Sequence, residues 1–227
     1  MSDSILDQVI NSKQKAAIFD FNPSDIVVKL FSALSEREKE IICRRHGLCE
    51  QPKATLEEIG KQHKVTRERV RQVENSSLKK IKESFDKEIL HAVENLANAV
   101  LSEYGGVMTE ERLITQLLQS PGDNESNRSA VRFLLNQLLS EKFQGVKETD
   151  EHNKVWASME ASWDQFLANV RKINELVASH KEPLPLTELI EKVNSATEIF
   201  WTDLNDELMT NILDVSKKVN SNIYNEW

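Results

Sequence analysis

Residues Thr55–Lys82, TLEEIGKQHKVTRERVRQVENSSLKKIK, read as two short helices joined by a tight turn. Thr55 with Glu58 three residues on forms a capping box, in which hydroxyl and carboxylate each meet an orphan backbone N–H at a helix start. Thr66 caps the second helix, and Val65 and Val70 make an apolar staple across that cap. At about 100° per residue, Val70, Val73, Ser77 and Ile81 fall within an arc of roughly 80°, the stripe expected to be buried. Arg67, Glu68, Arg71, Gln72 and Asn75 spread over about 140° on the opposite side, free to face a partner.

Those side chains carry base-reading chemistry: Arg for guanine, Gln for adenine, Glu for the cytosine amino group. A solvated face laced by Arg and Glu pairs is the plainer alternative for any charged helix. Two capped helices around a tight turn are, however, the parts of a helix-turn-helix, whose second helix offers its first turns to the major groove. That arrangement favours a reading face.

LSEREKEIICRRHGL, starting at Leu34, followed by the stretch quoted above, resembles region 4 of the sigma-70 family of bacterial RNA polymerase initiation factors from Leu34 to Lys82. The resemblance implies a double-stranded DNA partner, with the module reading the upstream promoter hexamer, the minus thirty-five element. It implies a second partner in the RNA polymerase core, at a flap of the beta subunit. By resemblance Arg67, Glu68, Arg71 and Gln72 sit on base-contacting positions, and Arg37, Arg45, Thr55, Leu56, Thr66 and Arg69 near the phosphate backbone. Docking on polymerase would fall to the Leu34–Leu48 helix, with Ile42 and Leu48 as apolar contacts. The chain departs from the family at Arg44 and His46, where apolar and aromatic residues are usual, and at His63-Lys64 in the turn. Lys64 is expected there in a left-handed conformation, at modest cost for a residue with a side chain.

The 227 residues suffice for one large or two to three small domains. Apolar residues make up 39% while Gly and Pro number only 6 and 5, so helix should dominate. No apolar run approaches the roughly 18 residues of a membrane span, and the N-terminus lacks a basic segment followed by an apolar one. The expected location is the cytoplasm, with no membrane partner. Residues 35–83 hold 13 Lys plus Arg against 9 Asp plus Glu, whereas the whole chain carries −8, so one basic module sits on an acidic body. Cys43, His46 and Cys49, taken with His63, match no usual zinc spacing, and the two cysteines are expected as reduced thiols. The histidines His46, His63, His91, His152 and His180 are scattered, and no Walker loop, G-x-S-x-G elbow or H-E-x-x-H pair is present. The reading is therefore non-enzymatic, without cofactor, metal or small-molecule substrate.

Four segments are expected. Residues 1–20 read as a flexible arm. Residues 21–83 form the sigma region 4-like domain: a turn at Phe21-Asn22-Pro23-Ser24, a short helix carrying Val27, Leu30 and Phe31, then a Ser35-capped helix ending at Gly47. Residues 84–160 begin with a continuation of the recognition helix from Ile81 through Phe85, Ile89 and Val93 towards Leu101, broken at Tyr104-Gly105-Gly106. A Thr109-capped helix, the loop SPGDNESN, the helix SAVRFLLNQLL and an alternating Phe143–Val146 and Lys154–Trp156 hairpin follow, on the winged-helix plan. Residues 161–227 repeat this more weakly, with helices over Phe166–Val177, from Pro185, and over Asn205–Val219, and a first wing strand at Ile223–Trp227. INELVASHKEPLPLTELIEKV resembles the winged-helix domain of the RNA polymerase delta subunit and the related HARE-HTH domains. The return strand would lie past Trp227, so this copy is expected to be truncated.

The expected fold class is mainly α: a sigma region 4 helix-turn-helix bundle followed by two small winged-helix-like domains with minor β hairpins. Two functions fit. One is a sequence-specific DNA-binding transcription factor; the other is the recognition portion of a larger restriction or repair protein whose catalytic domain lies beyond residue 227. The acidic half, in which Arg128, Arg132, Lys142, Lys147 and Lys154 are nearly cancelled by neighbouring acids, is expected to work through protein contacts or self-association and not as a second DNA reader. Trp156, Trp163, Phe200 and Trp201 supply apolar material for docking there.

Overall fold

The computed structural model describes residues 21–84, 87–180, 182–195, 204–222 and 226–227. It is mostly helical with one three-stranded sheet. Two compact units emerge, Met1–Leu96 with Ile114–Glu141, and Ala97–Leu113 with Lys142–Trp227.

In the first unit, α1 (Pro23–Leu30) starts where Asn22 accepts from the Asp25 N–H and Pro23 fixes the first turn. It is followed by a tighter turn, Phe31–Ala33. Helix α2 (Glu36–His46) opens on the Ser35–Glu38 capping box and closes at Gly47, whose φ of 68° is the left-handed C-terminal conformation expected there. Helix α3 (Leu56–His63) has the Thr55–Glu58 box and ends on Lys64 with φ 54°. Helix α4 (Arg67–Ser84) has the Thr66 hydroxyl accepting from the Arg69 N–H. Ile41, Ala54, Ile59 and Val70 form one core, with Leu56, Val65 and Val73 packed on it. Val70, Ser77 and Ile81 are buried as the sequence stripe required, and Val73 is half-buried.

Helix α5 (Lys87–Glu103) comes next, and the join expected through Phe85 lies outside the described residues. After it come β1 (Val107–Thr109), α6 (Glu110–Gly122), broken at Gln119, and α7 (Glu125–Phe133), which continues as a wider turn over Leu134–Leu138. The compact units do not follow the expected boundaries at 83/84 and 160/161. Helix α7 is the reason: it buries Ala130, Val131, Phe133, Leu134, Leu135 and Leu138 in the first unit, beside α1. Phe133 meets Phe31 edge-to-face at 5.9 Å, and the Asn127 carboxamide accepts from the N–H and hydroxyl of Ser24.

In the second unit the expected hairpin is present as β2 (Phe143–Val146) and β3 (Val155–Ser158), antiparallel, with Gly145 opposite Trp156. β1 pairs with the far edge of β3, a third strand that three residues of sequence did not announce. Helices α8 (Trp163–Ala178), α9 (Leu186–Ser195) and α10 (Asp206–Val215) share one core with that sheet. Val107, Val155 and Ala157 pack with Phe166, Ile173, Leu189, Met209 and Ile212. The sheet of the first expected copy and the helices of the second are thus one unit. Helix α10 stops four residues short of Val219, because Ser216 leaves the helix to bridge to His152. Of the expected last strand, Ile223–Asn225, like Phe200 and Trp201, lies outside the described residues. Glu226 bridges to Pro185, and Trp227 exchanges two backbone hydrogen bonds with Leu184.

The thiol expectation is corrected. Cys43 and Cys49 are joined as a disulfide, Cα atoms 5.7 Å apart, because the Gly47 turn folds the loop back on α2. Among the described residues no group of three or more His, Cys, Asp or Glu could hold a metal ion, and no helix is long and apolar enough to cross a membrane.

Candidate nucleic-acid interface

The candidate reading face rests on how closely α3 and α4 approach. Gly60, buried on α3, lies so near the turn that a Cβ there would sit 2.7 Å from the Val65 carbonyl oxygen. The Val65 N–H also closes onto the Gly60 carbonyl at 2.9 Å. This fixes the start of α4, and its first two turns then present Arg67, Glu68, Arg71 and Gln72, all exposed, away from Val70 and Ser77. Asn75 is exposed on the same side.

Within that face the plainer alternative is also realised. Arg71 donates twice to Glu68, at 2.9 and 2.7 Å, and Arg69 donates to Gln72 at 3.3 Å. The Arg71 guanidinium holds the Glu68 carboxyl below its ordinary range. Exposed pairs of this kind are weak and screened by water, so a base edge or phosphate can displace either partner at little cost.

The expected backbone-contacting residues divide. Arg37, Thr55, Thr66 and Arg69 are exposed, and Leu56 is half-buried against the core. Arg45 is turned inward, its Nη1 donating to the Ala54 carbonyl and its Nε 3.4 Å from Glu74. His46 lies 3.2 Å from the same Glu74 oxygen and meets Phe133 edge-to-face at 5.1 Å. Burial pushes the Glu74 carboxyl up, but His46 and Arg45 together bring it below its ordinary range. The departures at His46 and His63 are thus structural: His46 secures α2 to α4, and His63 stands 3.7 Å from Glu40 of α2. The docking expectation for Ile42 and Leu48 meets a different outcome, since they are 0% and 2% exposed and belong to the core.

Sequence reading missed Gly60, Glu74 and the tie from Lys80 to Glu38. Glu38 takes the Ser35 N–H and hydroxyl as well as the Lys80 ammonium at 2.6 Å, securing α2 to α4. Lys80 first, then the Ser35 N–H, hold the Glu38 carboxyl at about 2 instead of the ordinary 4.5. Unfolded chains take up this proton at a higher pH than folded ones. Glu38 therefore stabilises fully above the ordinary value, and the stabilisation is lost as pH falls towards the depressed one. Glu38→Gln should flatten the fall in urea midpoint between about pH 5 and about pH 2.5. An unchanged acid slope would show that the Lys80 tie is not formed in solution.

In the second unit several cations are met by acids: Arg112 by Asp214, Lys154 by Glu110, Arg171 by Glu151 and Lys217 by Glu148.

Residues 30–83 match the family model for sigma-70, region 4. Over 57 residues the chain is 49% identical to the RNA polymerase sigma factor RpoD of Helicobacter pylori, a span covering 25% of this chain and 8% of that protein. It is 35% identical over 82 residues to the RNA polymerase sigma factor SigA of Clostridium acetobutylicum, covering 36% of this chain and 21% of that one. With SigA of Lactococcus lactis the identity is 43% over 54 residues, 24% of this chain and 15% of the relative. The chain spans from 8% to 21% of the length of these relatives. No solved structure matches it.

Proposed function

We propose that this chain is a sequence-specific DNA-binding protein of transcription, reading a promoter minus thirty-five-type element through the first two turns of α4. The observation that carries the reading is the exposed set Arg67, Glu68, Arg71 and Gln72, held on the face opposite a fully buried Val70 and Ser77 by the Gly60 contact. The similarity of residues 30–83 to sigma-70 region 4 supports it. Thr55, Thr66, Arg69 and Arg37 supply phosphate contacts, and Arg45 acts from within by fixing the loop before α3. Contact with RNA polymerase core, if made through α2, uses its exposed residues, since Ile42 and Leu48 are interior. On this reading the chain acts in the cytoplasm, catalyses nothing itself, and its second unit meets protein in preference to DNA, several of its cations being engaged by acids of the same unit.

Fluorescence anisotropy of the full chain across a randomised hexamer set tests it. Arg71→Ala should relax base preference at one position by about 1–3 kcal/mol, whereas Arg69→Ala should weaken all sequences alike. Equal losses on every sequence for both variants would remove α4 as the reader.

A further inference from the structure

The Cys43–Cys49 bridge lies outside the reading face, and the function proposed above uses neither cysteine. Cys43 is 4% exposed on the last turn of α2, while Cys49 is exposed on the loop that follows. Cys49 and Glu50 both have left-handed backbone, with φ 56° and 59°, so the chain turns sharply at the bridge. Beside Cys49 opens a cavity of about 290 Å³, lined by Ser24, Val27, Val28, Leu48 and Ser126 among others. Glu50 is the one charged residue of that lining.

We propose that Cys49 is a thiol–disulfide exchange site for small thiols and disulfides, with Cys43 as the resolving thiol and Glu50 selecting against anionic reagents. In the reducing direction a thiolate entering by the cavity attacks the Cys49 Sγ. The Cys43–Cys49 bond breaks, and its electron pair leaves on the Cys43 Sγ, which takes up a proton. A second thiolate then attacks the reagent sulfur of the mixed disulfide, releasing the reagent's own disulfide and a Cys49 thiolate that is protonated in turn. The protein gains two electrons and two protons, and two small thiols are oxidised. A carboxylate at the mouth raises the barrier for an anionic thiol such as glutathione and lowers it for a cationic one such as cysteamine.

The opened bridge releases a loop that leads straight to the cap of α3. The N–H groups of Leu48, Gln51 and Ala54 bond to the carbonyls of Cys43, Leu48 and Arg44 at 2.8, 3.0 and 2.7 Å, and these are the bonds the bridge holds in place. The site stands whether or not the module reads DNA.

The test equilibrates the full chain in cysteamine–cystamine and in reduced–oxidised glutathione buffers, followed by alkylation, intact mass and amide hydrogen exchange. Two alkylations should be gained under reducing conditions and lost again under oxidising ones. Cysteamine should open the bridge at least about threefold faster than glutathione at equal thiolate concentration, and Glu50→Gln should bring the two rates together. Reduction should lower protection at Leu48, Gln51 and Ala54, with the amides of α8 unchanged. Cys43→Ser, which removes the resolving thiol, should hold a cysteamine adduct on Cys49. Cysteines alkylated in every oxidising buffer, a bridge that neither thiol opens in the native chain, or rates indifferent to Glu50→Gln would each overturn the proposal.

Discussion

Phe133→Ala should lower the stability of the first unit by about 3–5 kcal/mol, the usual range for deleting a buried aromatic ring. Phe133 is 2% exposed and lies against both Phe31 and His46. His46 also faces Glu74 of α4, so the loss should reach the helix that presents the reading face. The described tryptophans, Trp156, Trp163 and Trp227, fall in the second unit and none in the first, so fluorescence follows that unit and the helical circular dichroism signal follows both. In urea the dichroism midpoint should fall for this variant while the fluorescence midpoint stays. A shift worth less than about 1 kcal/mol would mean that α7 is not part of the module's core.

Gly60→Val should abolish measurable DNA binding by the full chain. Even a Cβ at this position would meet the Val65 carbonyl at 2.7 Å and the Arg67 nitrogen at 3.5 Å, both of them backbone that no rotamer can move. Alanine would recover part of the penalty through helix propensity, about 1 kcal/mol, but valine adds two methyl groups and lacks alanine's propensity. Overpacking of this kind costs about 1–3 kcal/mol, occasionally more, and here the strain is relieved by pushing α4 off α3. That displacement turns Arg67 and Arg71 away from any common groove. The check is anisotropy on the best-binding hexamer together with the dichroism melt. Wild-type affinity in a folded Gly60→Val chain would show that the close approach of α3 and α4 is not what aims the reading face.

Local signals were legible in the sequence because local chemistry produces them. The Ser35–Glu38 and Thr55–Glu58 boxes, the left-handed Gly47 and Lys64, the Val70–Ser77–Ile81 stripe and the Phe143–Val146 hairpin strand all depend on residues within a few positions. The exposure of Arg67, Glu68, Arg71 and Gln72 follows from that stripe. What stayed hidden depends on which surfaces meet across the chain. An apolar face on SAVRFLLNQLL says that α7 is buried, but nothing in its pattern says that the burying surface carries Phe31 and His46. Arg45 reads as a phosphate contact and His46 as a departure from the family pattern, and only α4 places Glu74 within 3.4 Å of the one and 3.2 Å of the other. Likewise Ile42 and Leu48 were readable as apolar and not as interior. The nearness of Cys43 to Cys49 depends on the left-handed turn between them.

The packing of α7 on α1 also sets an order of events during synthesis. Phe31 leaves the ribosome about a hundred residues ahead of Phe133, and until that ring emerges the helix-turn-helix is translated but its flank at Phe31 and His46 is bare. The entropy of closing so long an intervening stretch grows only logarithmically with its length, so the delay acts on folding rate far more than on final stability. During that interval the newly made chain presents exposed aromatic surface of the kind that holding chaperones bind.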